Sequence, residues 1–145
     1  MSRFVRPESS VLHISQGDTL TVRARLNVGE QRAMFARMYA VDADDKRRVD
    51  LLQVGLSRVL AYLIDWSLVD DQGRHVEIRD QPADVIEAAL NALDPDDFRE
   101  IREAIDAHVE AQDAARQAEK KSPSGDLASS ATSTSPAVAV GAMSG

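Results

Sequence analysis

Cysteine is absent from the 145-residue sequence. The chain therefore forms no disulfide, offers no thiolate ligand to a metal and has no cysteine nucleophile. Aromatic residues are scarce, at 4% of the chain, although hydrophobic residues of all types make up 43%. We therefore expect a core of Leu, Val, Ile and Ala side chains rather than one of large rings.

Long hydrophobic runs are also missing. The N-terminus, MSRFVRPESS, is basic but contains no apolar stretch of signal-peptide length. No segment approaches the roughly 20 consecutive apolar residues that a transmembrane helix needs. The sequence therefore predicts a cytosolic protein that has no membrane partner.

The formal net charge of −7 is unevenly distributed along the chain. Residues 1–48 contain 9 Lys and Arg and 6 Asp and Glu, whereas residues 49–119 contain 6 and 17. An acidic surface repels phosphate, so nucleic acid is not an expected partner unless the basic side chains of the first part gather on one face. Those side chains belong to Arg23, Arg25, Arg32, Arg37, Lys46, Arg47 and Arg48.

Apolar and polar residues alternate in two places, which is the period of a half-buried strand. Residues 19–26 alternate most clearly, and residues 11–15, separated from them by Gln-Gly-Asp, are a suitable partner. This predicts an N-terminal β-hairpin. A second, short hairpin is expected from residues 66–69 and 74–79, which flank a turn that contains glycine.

Helical periodicity predicts four helices. The first begins at Asn27, an N-cap with Glu30 in capping-box position, and a charged connection at residues 42–48 follows it. Its expected apolar face comprises Met34, Phe35, Met38 and, at its end, Val41. The second, within residues 49–66, has the widest apolar face and is expected to be the hub of the core.

The third and fourth helices are predicted from their start signals. Pro82 suits the first turn of a helix that stops near Leu93. Asp94 and Pro95 are the clearest helix start in the chain, because aspartate caps the free amides and proline fits the first helical position. The apolar stripe of this last helix weakens beyond Val109, so its final turns are expected to face solvent or a partner.

The composition changes at residue 122, where small and polar residues and two prolines take over. Such a segment has too little apolar bulk to offset the entropy of ordering it. The sequence therefore predicts an α+β fold: a mostly helical domain at residues 1–121 with an N-terminal β-hairpin and a second short hairpin, followed by a disordered C-terminal tail at residues 122–145.

Three acidic clusters are the only candidates for metal binding or acid–base chemistry. They are Asp42, Asp44 and Asp45; Asp70 and Asp71; and Asp94, Asp96 and Asp97. A calcium-loop interpretation of the first fails because Lys46 and Arg47 stand where a ligand and a glycine are required. The second is better explained as a turn and the third as a helix cap, so we expect no metal.

Catalytic motifs are equally hard to find. His13, His75 and His108 are far apart in sequence and none has a neighbour at metal-ligand spacing. Ser57 follows Gly55, but a nucleophile elbow needs a second glycine two residues after the serine, and no glycine-rich phosphate loop exists. The sequence predicts a protein that is not an enzyme and uses no cofactor.

Two features are candidates for protein binding. Met34 and Met38, one helical turn apart beside Phe35 and Tyr39, form an adaptable apolar surface suited to a partner helix. Ordinary core packing explains the same residues, and we favour it. Trp66 ends the most apolar helix and serves either as a core anchor, which we again favour, or as an interface anchor.

The stretch AYLIDWSLVDDQGRHVEI and the following QPADVIEAALNALDPDDFREIREAIDAH resemble the tail assembly chaperones of long-tailed, siphovirus-type bacteriophages. In that family an apolar helix ends in an acidic residue and Trp, a hairpin with glycine follows, and an Asp-Pro helix start leads into an acidic C-terminal helix. Asp65, Trp66, Gly73, Asp94 and Pro95 correspond to these features. The resemblance covers roughly residues 16–110.

The resemblance implies a non-catalytic chaperone in the host cytoplasm, absent from the mature virion. Its partners would be the tape-measure protein, which it coats and keeps soluble, and the tail-tube protein, which it helps to recruit. Self-association is a further expectation, since many weakly bound copies in a row act by multivalency. Glu119-Lys120-Lys121 is compatible with a slippery codon run, where ribosomal frameshifting would give a longer product.

Two other classes of function stay open at this point. A minor structural component of the virion, such as a tail or connector protein, would be found in purified particles, whereas a chaperone would not. A carboxylate-dependent metalloenzyme would bind a divalent metal tightly and lose it when Asp42, Asp44 and Asp45 are replaced.

Overall fold

A computed structural model describes residues 2–41, 47–49 and 51–121 of the chain. The predicted disordered tail and most of the charged connection, residues 42–46, lie outside these ranges. Internal contacts divide the chain into two units, Met1–Val109 and Glu110–Gly145. The sequence-based domain boundary after residue 121 stays a prediction.

The fold is of the predicted α+β class, with four helices and two small antiparallel sheets in the described residues. In chain order the elements are β1 (Ser9–His13), β2 (Thr19–Arg23), α1 (Val28–Met38), β3 (Tyr39–Val41), β4 (Arg47–Val49), α2 (Leu51–Tyr62), β5 (Leu63–Trp66), α3 (Ala83–Asn91) and α4 (Pro95–Lys121). The larger sheet has the strand order β1-β2-β5, and β3 and β4 form the smaller one.

The predicted N-terminal hairpin is confirmed, with β1 antiparallel to β2 and Leu12 opposite Leu20. A 3-10 turn, Ser15–Gly17, connects the strands, and Gln16 and Gly17 adopt left-handed φ angles of 61° and 78°. Glycine takes such an angle without steric cost. The strands are shifted from their predicted limits, because β1 ends at His13 and β2 ends at Arg23.

The extension of the second helix to residue 66 was wrong. α2 ends at Tyr62, and the next four residues form β5, in which Trp66 lies opposite Leu20 and Leu63 lies opposite Val22. Leu63 and Trp66 are buried in the strand, as they would be at helical spacing. Local periodicity does not separate the two conformations here, and pairing with the backbone of β2 selects the strand.

The sheet formed by β3 and β4 was not predicted. Tyr39 lies opposite Val49 and Val41 lies opposite Arg47, so Val41 belongs to a strand and not to the apolar face of the first helix. Arg47 and Arg48 likewise belong to a strand instead of a charged connection. The sequence concealed this hairpin because its second strand begins with two arginines, which are not typical of strands.

The predicted second hairpin at residues 66–79 is present as a turn closed by one bridge. Val69 pairs antiparallel with His75. The amide of Asp70 donates to the carbonyl of Arg74 at 2.8 Å, and the amide of Val76 donates to the carbonyl of Leu68 at 3.0 Å. These contacts lead the chain from the end of β5 back across the core towards α3.

The last two helices start close to their predicted positions. Pro82 is the N-cap of α3 rather than its first helical residue, and α3 ends at Asn91, two residues before the predicted end. Asp94 precedes α4 and caps it, since its Oδ1 accepts a hydrogen bond from the amide of Asp96 at 2.8 Å. This confirms the capping role expected for Asp94.

One aliphatic core joins the larger sheet to the helices of the first unit. Its members come from β2, α2, β5, the segment after β5, α3 and α4: Leu20, Val22, Val59, Leu60, Leu63, Trp66, Ile78, Leu90, Ile101 and Ile105. Trp66 is the only aromatic ring among them, as the composition led us to expect. α2 contributes Val59 and Leu60, in agreement with its predicted place at the hub.

Candidate interaction surfaces

The side chains proposed for partner binding point in different directions. Met34 is buried, with 6% of its surface exposed, and it is the only buried residue of α1, a helix that the structure describes from end to end. Met38 is half-buried. The predicted apolar face of α1 is therefore correct for these two methionines, which face inwards.

Phe35 does not share the inward face. Its exposed fraction is 45%, that of Tyr39 at the end of the helix is 44%, and that of Val28 in the first turn is 69%. Val28, Arg32 and Phe35 recur at the spacing of one helical face, and Tyr39 follows as the C-cap of α1 and the first residue of β3. We call Val28, Arg32, Phe35 and Tyr39 the α1 strip. It is an exposed apolar surface with a single positive charge.

Polar contacts hold α1 against the rest of the first unit. Asn27 and Glu30 form the predicted capping box, in which Asn27 Oδ1 accepts from the amide of Glu30 at 2.8 Å and Glu30 Oε1 accepts from the amide of Asn27 at 2.9 Å. Glu30 also accepts from Arg23 Nε at 2.9 Å, and Arg23 Nη1 donates to the carbonyl of Ala61 at 3.1 Å. The strip is therefore displayed on a fixed helix.

The same contacts bear on the question of nucleic-acid binding. The guanidinium of Arg23, one of the basic residues considered above, is already bound to Glu30 and Ala61. Lys46 lies outside the described residues. The expectation that nucleic acid is not a partner stays a prediction.

Trp66 is a core residue. Only 4% of its surface is exposed, and the indole Nε1 donates to the carbonyl of Val76 at 2.8 Å. The backbone amide of Trp66 donates to Asp65 Oδ1 at 2.9 Å. This placement supports the core interpretation that the sequence favoured. A buried indole whose N–H is already hydrogen-bonded has no exposed surface and no free donor with which to bind a partner.

A groove opens at the end of the larger sheet that carries the β1–β2 turn. It has a volume of about 730 Å³ and lies between that turn, the segment after β5, the end of α3 and the start of α4. Half-buried aliphatic side chains form its floor, among them Ile14, Leu68, Val76 and Leu93. Its rim is acidic, with Asp18, Asp70, Asp71, Asp94, Asp97 and Glu100.

The acidic clusters have structural roles where the structure describes them. Asp70 Oδ1 accepts from the amides of Gln72 and Arg74, both at 2.9 Å, which fixes the turn after β5. Asp94 caps α4. Within the described ranges, no group of three His, Asp or Glu side chains is arranged to hold a metal ion. The first cluster lies outside those ranges, and the absence of metal stays a prediction.

Two of the three histidines hold backbone together. His108 is buried at 8% exposure, its Nε2 lies 3.0 Å from the carbonyl of Arg23, and its ring meets that of Tyr62 edge-on with centroids 6.1 Å apart. His75 Nε2 lies 2.8 Å from the carbonyl of Trp66, whereas His13 is exposed. Since a carbonyl only accepts, Nε2 carries the proton in both bonded rings.

Ser57 is completely buried within α2, and its hydroxyl has no hydrogen-bond partner among the residues that the structure describes. A nucleophile needs both access for substrate and a base within hydrogen-bond reach. Ser57 therefore packs as a small core residue.

No protein-family model, curated protein or solved structure matches this chain. In the part of the chain that the structure describes, no helix is both long enough and apolar enough to cross a membrane. Inferences about function therefore rest on the sequence resemblance and on the two surfaces described above.

Sequence reasoning missed Val28 and the groove. Val28 precedes Phe35 by seven residues, which is the spacing of one helical face. The predicted apolar face was instead centred on Met34 and Met38 and did not include Val28. The groove left no such signal, because its walls come from four separate parts of the chain. Only the fold brings Asp18, Asp71 and Asp97 to one opening.

Proposed function

We propose that this chain is a phage tail assembly chaperone, a non-catalytic protein of the host cytoplasm that binds the tape-measure protein and helps to recruit tail-tube subunits. The observation that carries the proposal is the α1 strip, on which Val28 and Phe35 expose apolar surface along one side of α1 and Tyr39 is exposed just beyond the end of that helix. The sequence resemblance implies the tape-measure protein as the partner, and the strip provides a surface of suitable chemistry.

A long helical partner fits this strip for a physical reason. A tape-measure helix that is not yet enclosed by a tail tube exposes an apolar stripe over its whole length. A helix binds such a stripe through side chains at positions i, i+4 and i+7, and aromatic residues contribute most of the affinity at interfaces of this kind. Phe35 and Tyr39 supply the aromatic contacts, and Arg32 favours a partner with a nearby carboxylate.

The charge of the chain supports the same function. Residues 49–119 carry a large excess of acidic residues, most of which lie on α4, on α3 and in the segment between β5 and α3. Copies bound side by side would present negative charge outwards and repel other coated complexes, which keeps an aggregation-prone filament in solution. Many copies of a weak contact along one filament give a stable coat by multivalency.

The strip is tested by co-expression with the tape-measure protein, which we expect to be the long helical product encoded next to this chain. The chain should raise the soluble fraction of that product and be recovered with it. The double substitution Phe35→Ser and Tyr39→Ser should weaken binding by roughly 30- to 1000-fold, since each buried interface aromatic contributes about 1–2 kcal/mol.

Val11→Ser with Val85→Ser is the matched control. Both valines are exposed, at 57% and 41%, and neither belongs to the α1 strip. These substitutions should leave solubilisation unchanged. An insoluble tape-measure product in the presence of the unaltered chain, with no complex recovered, would contradict the proposed function. Equal losses with the control would contradict the role of the strip.

A further inference from the structure

The groove at the end of the larger sheet combines an apolar floor with an unusually uniform charge. Six of its lining residues are acidic and none of the described lining residues is basic. Just outside the lining, the guanidinium Nε of Arg74 lies 4.0 Å from Asp70 Oδ2, and the side chain of Arg74 is 73% exposed. A segment that enters this groove must therefore be apolar enough to cover the floor and basic enough to suit the rim.

The carboxylates of the rim are held in place by the fold. Glu100 accepts from the amide and the hydroxyl of Ser15, at 2.7 and 2.8 Å, and Asp18 accepts from the hydroxyl of Ser67 at 2.8 Å. Asp71 and Asp97 are exposed and have no ion pair with any described residue. These two are free to receive a cationic side chain.

The chain itself contains a segment of the required chemistry. Its N-terminal arm, residues 2–8, includes the sequence Arg3-Phe4-Val5-Arg6, with two positive charges around two apolar side chains. Phe4 is the most exposed large hydrophobic residue described, at 88%. An aromatic ring displayed between two arginines is costly to leave in water and is well suited to an apolar floor with an acidic rim.

The arm and the groove lie at opposite ends of β1. The arm enters the strand at Ser9, whereas the groove begins beyond the other end, at Ile14. The strand is about 14–17 Å long at 3.4 Å per residue. The carbonyl of Glu8 accepts from the amide of Ala24 at 2.9 Å, so the arm is held as far as Glu8, and the four residue steps from Glu8 to Phe4 give an extended reach of about 14 Å. The path from Glu8 back to Ile14 is six steps, or about 20 Å. An arm that had to reverse direction and then run back along the whole strand would not reach its own groove.

From this charge complementarity and this placement we propose that the N-terminal arm of one copy binds in the acidic groove of a second copy. Phe4 packs on the aliphatic floor, and Arg3 and Arg6 pair with Asp71 and Asp97 at the rim. The contact is heterologous, because each copy offers an arm at one end and a groove at the other, so successive copies join head to tail. It does not depend on the proposed function, since it uses no residue of the α1 strip.

The contact is tested by sedimentation velocity over a wide range of protein concentrations. An arm of this length buries less surface than a standard protein interface, so the unaltered chain should be monomeric when dilute and form a growing series of oligomers when concentrated. Phe4→Ser should weaken association by at least tenfold, the effect of losing about 1.4 kcal/mol or more. Asp71→Lys with Asp97→Lys should do the same.

Mixing the two variants is the decisive experiment. The Phe4→Ser copy keeps an intact groove, and the Asp71→Lys/Asp97→Lys copy keeps an intact arm, so together they can make one contact and no more. The mixture should form a one-to-one heterodimer, although neither variant alone should associate. No interface that lacks the arm or the groove predicts that result, and the growing series formed by the unaltered chain distinguishes head-to-tail joining from a dimer that exchanges arms reciprocally.

Asp84→Lys with Glu103→Lys is the control for overall charge. Both residues are exposed on helices and neither lines the groove, and Asp84 lies in the first turn of α3 as Asp97 lies in the first turn of α4. This variant should associate by itself, as the unaltered chain does. Three results would each overturn the proposal. The unaltered chain could stay monomeric at every concentration, the arm and groove variants could associate as the unaltered chain does, or their mixture could stay monomeric.

The experiment separates this proposal from the proposed function. Phe35→Ser/Tyr39→Ser should associate as the unaltered chain does, because the α1 strip is not in the contact. Loss of association in that variant would also overturn the proposal.

Discussion

α1 and α2 have almost the same length, 11 and 12 residues, but opposite relations to the core. α2 buries Ser57, Val59, Leu60 and Ala61 within its last six residues, whereas α1 buries Met34 alone over its whole, fully described length. Both helices contain large apolar side chains. In α2 these side chains build the core, whereas in α1 Val28 and Phe35 stand on the surface and only Met34 is fully buried.

The difference shows which interactions hold each helix. α2 is held by apolar burial, which contributes roughly 25 cal/mol for each Å² removed from water. α1 is held by Met34, by its capping box and by the ion pair of Glu30 with Arg23, both of whose side chains are about one-third exposed. A partly exposed ion pair adds little, so the stability of the domain should depend much more on α2 than on α1.

Leu60→Ala should have the largest effect on stability. Leu60 is 8% exposed within the core, so its truncation removes apolar burial and leaves a cavity. The free energy of unfolding should fall by about 2–5 kcal/mol, measured by urea denaturation followed by circular dichroism. A loss below about 1 kcal/mol would mean that α2 is not the hub of the core.

Asn27→Ala should have a smaller effect than Leu60→Ala. It removes the side chain that accepts the amide of Glu30 at the start of α1 and breaks the reciprocal capping box. Loss of an N-cap costs about 0.5–2 kcal/mol. Asn27→Ser keeps an acceptor at the same position and should recover most of that loss, and if serine is no better than alanine then the cap does not anchor α1.

How far the sequence predicts these contacts depends on how local they are. Asn27 and Glu30 are three residues apart, and Asp94 lies next to the helix that it caps, so both starts were predicted from adjacent residues. Leu63 and Trp66 could not be assigned in the same way. Their three-residue spacing suits a helix and was taken for one, and only pairing with Leu20 and Val22 of a distant strand makes them a strand.

The surfaces follow the same rule. Whether Phe35 or Met34 faces the core depends on where α2 lies relative to α1, and neighbouring positions on a helix differ by only 100° in direction. The sequence therefore predicted that α1 carries apolar residues suited to a partner, but not which of them stay exposed. The groove was beyond prediction, because the residues of its rim extend from Asp18 to Glu100.

Ser57→Ala, a substitution within the buried part of α2, should raise stability slightly. The hydroxyl of Ser57 is fully buried without a partner, and such a group costs free energy that alanine does not. Alanine is also the better helix former. We expect a gain of about 0.5–1 kcal/mol in urea denaturation. A loss of stability would show that the hydroxyl has a partner in solution.

Phe35→Ala should have the smallest effect, and it is the strictest test of the comparison. Phe35 and Met34 are adjacent residues of one helix, but Phe35 is 45% exposed and Met34 only 6%. Met34→Ala should cost about 2–4 kcal/mol, as truncation of a buried methionine does, whereas Phe35→Ala should change the free energy of unfolding by less than about 1 kcal/mol. Comparable losses would mean that Phe35 belongs to the core, and the α1 strip would then have no apolar centre with which to bind a partner.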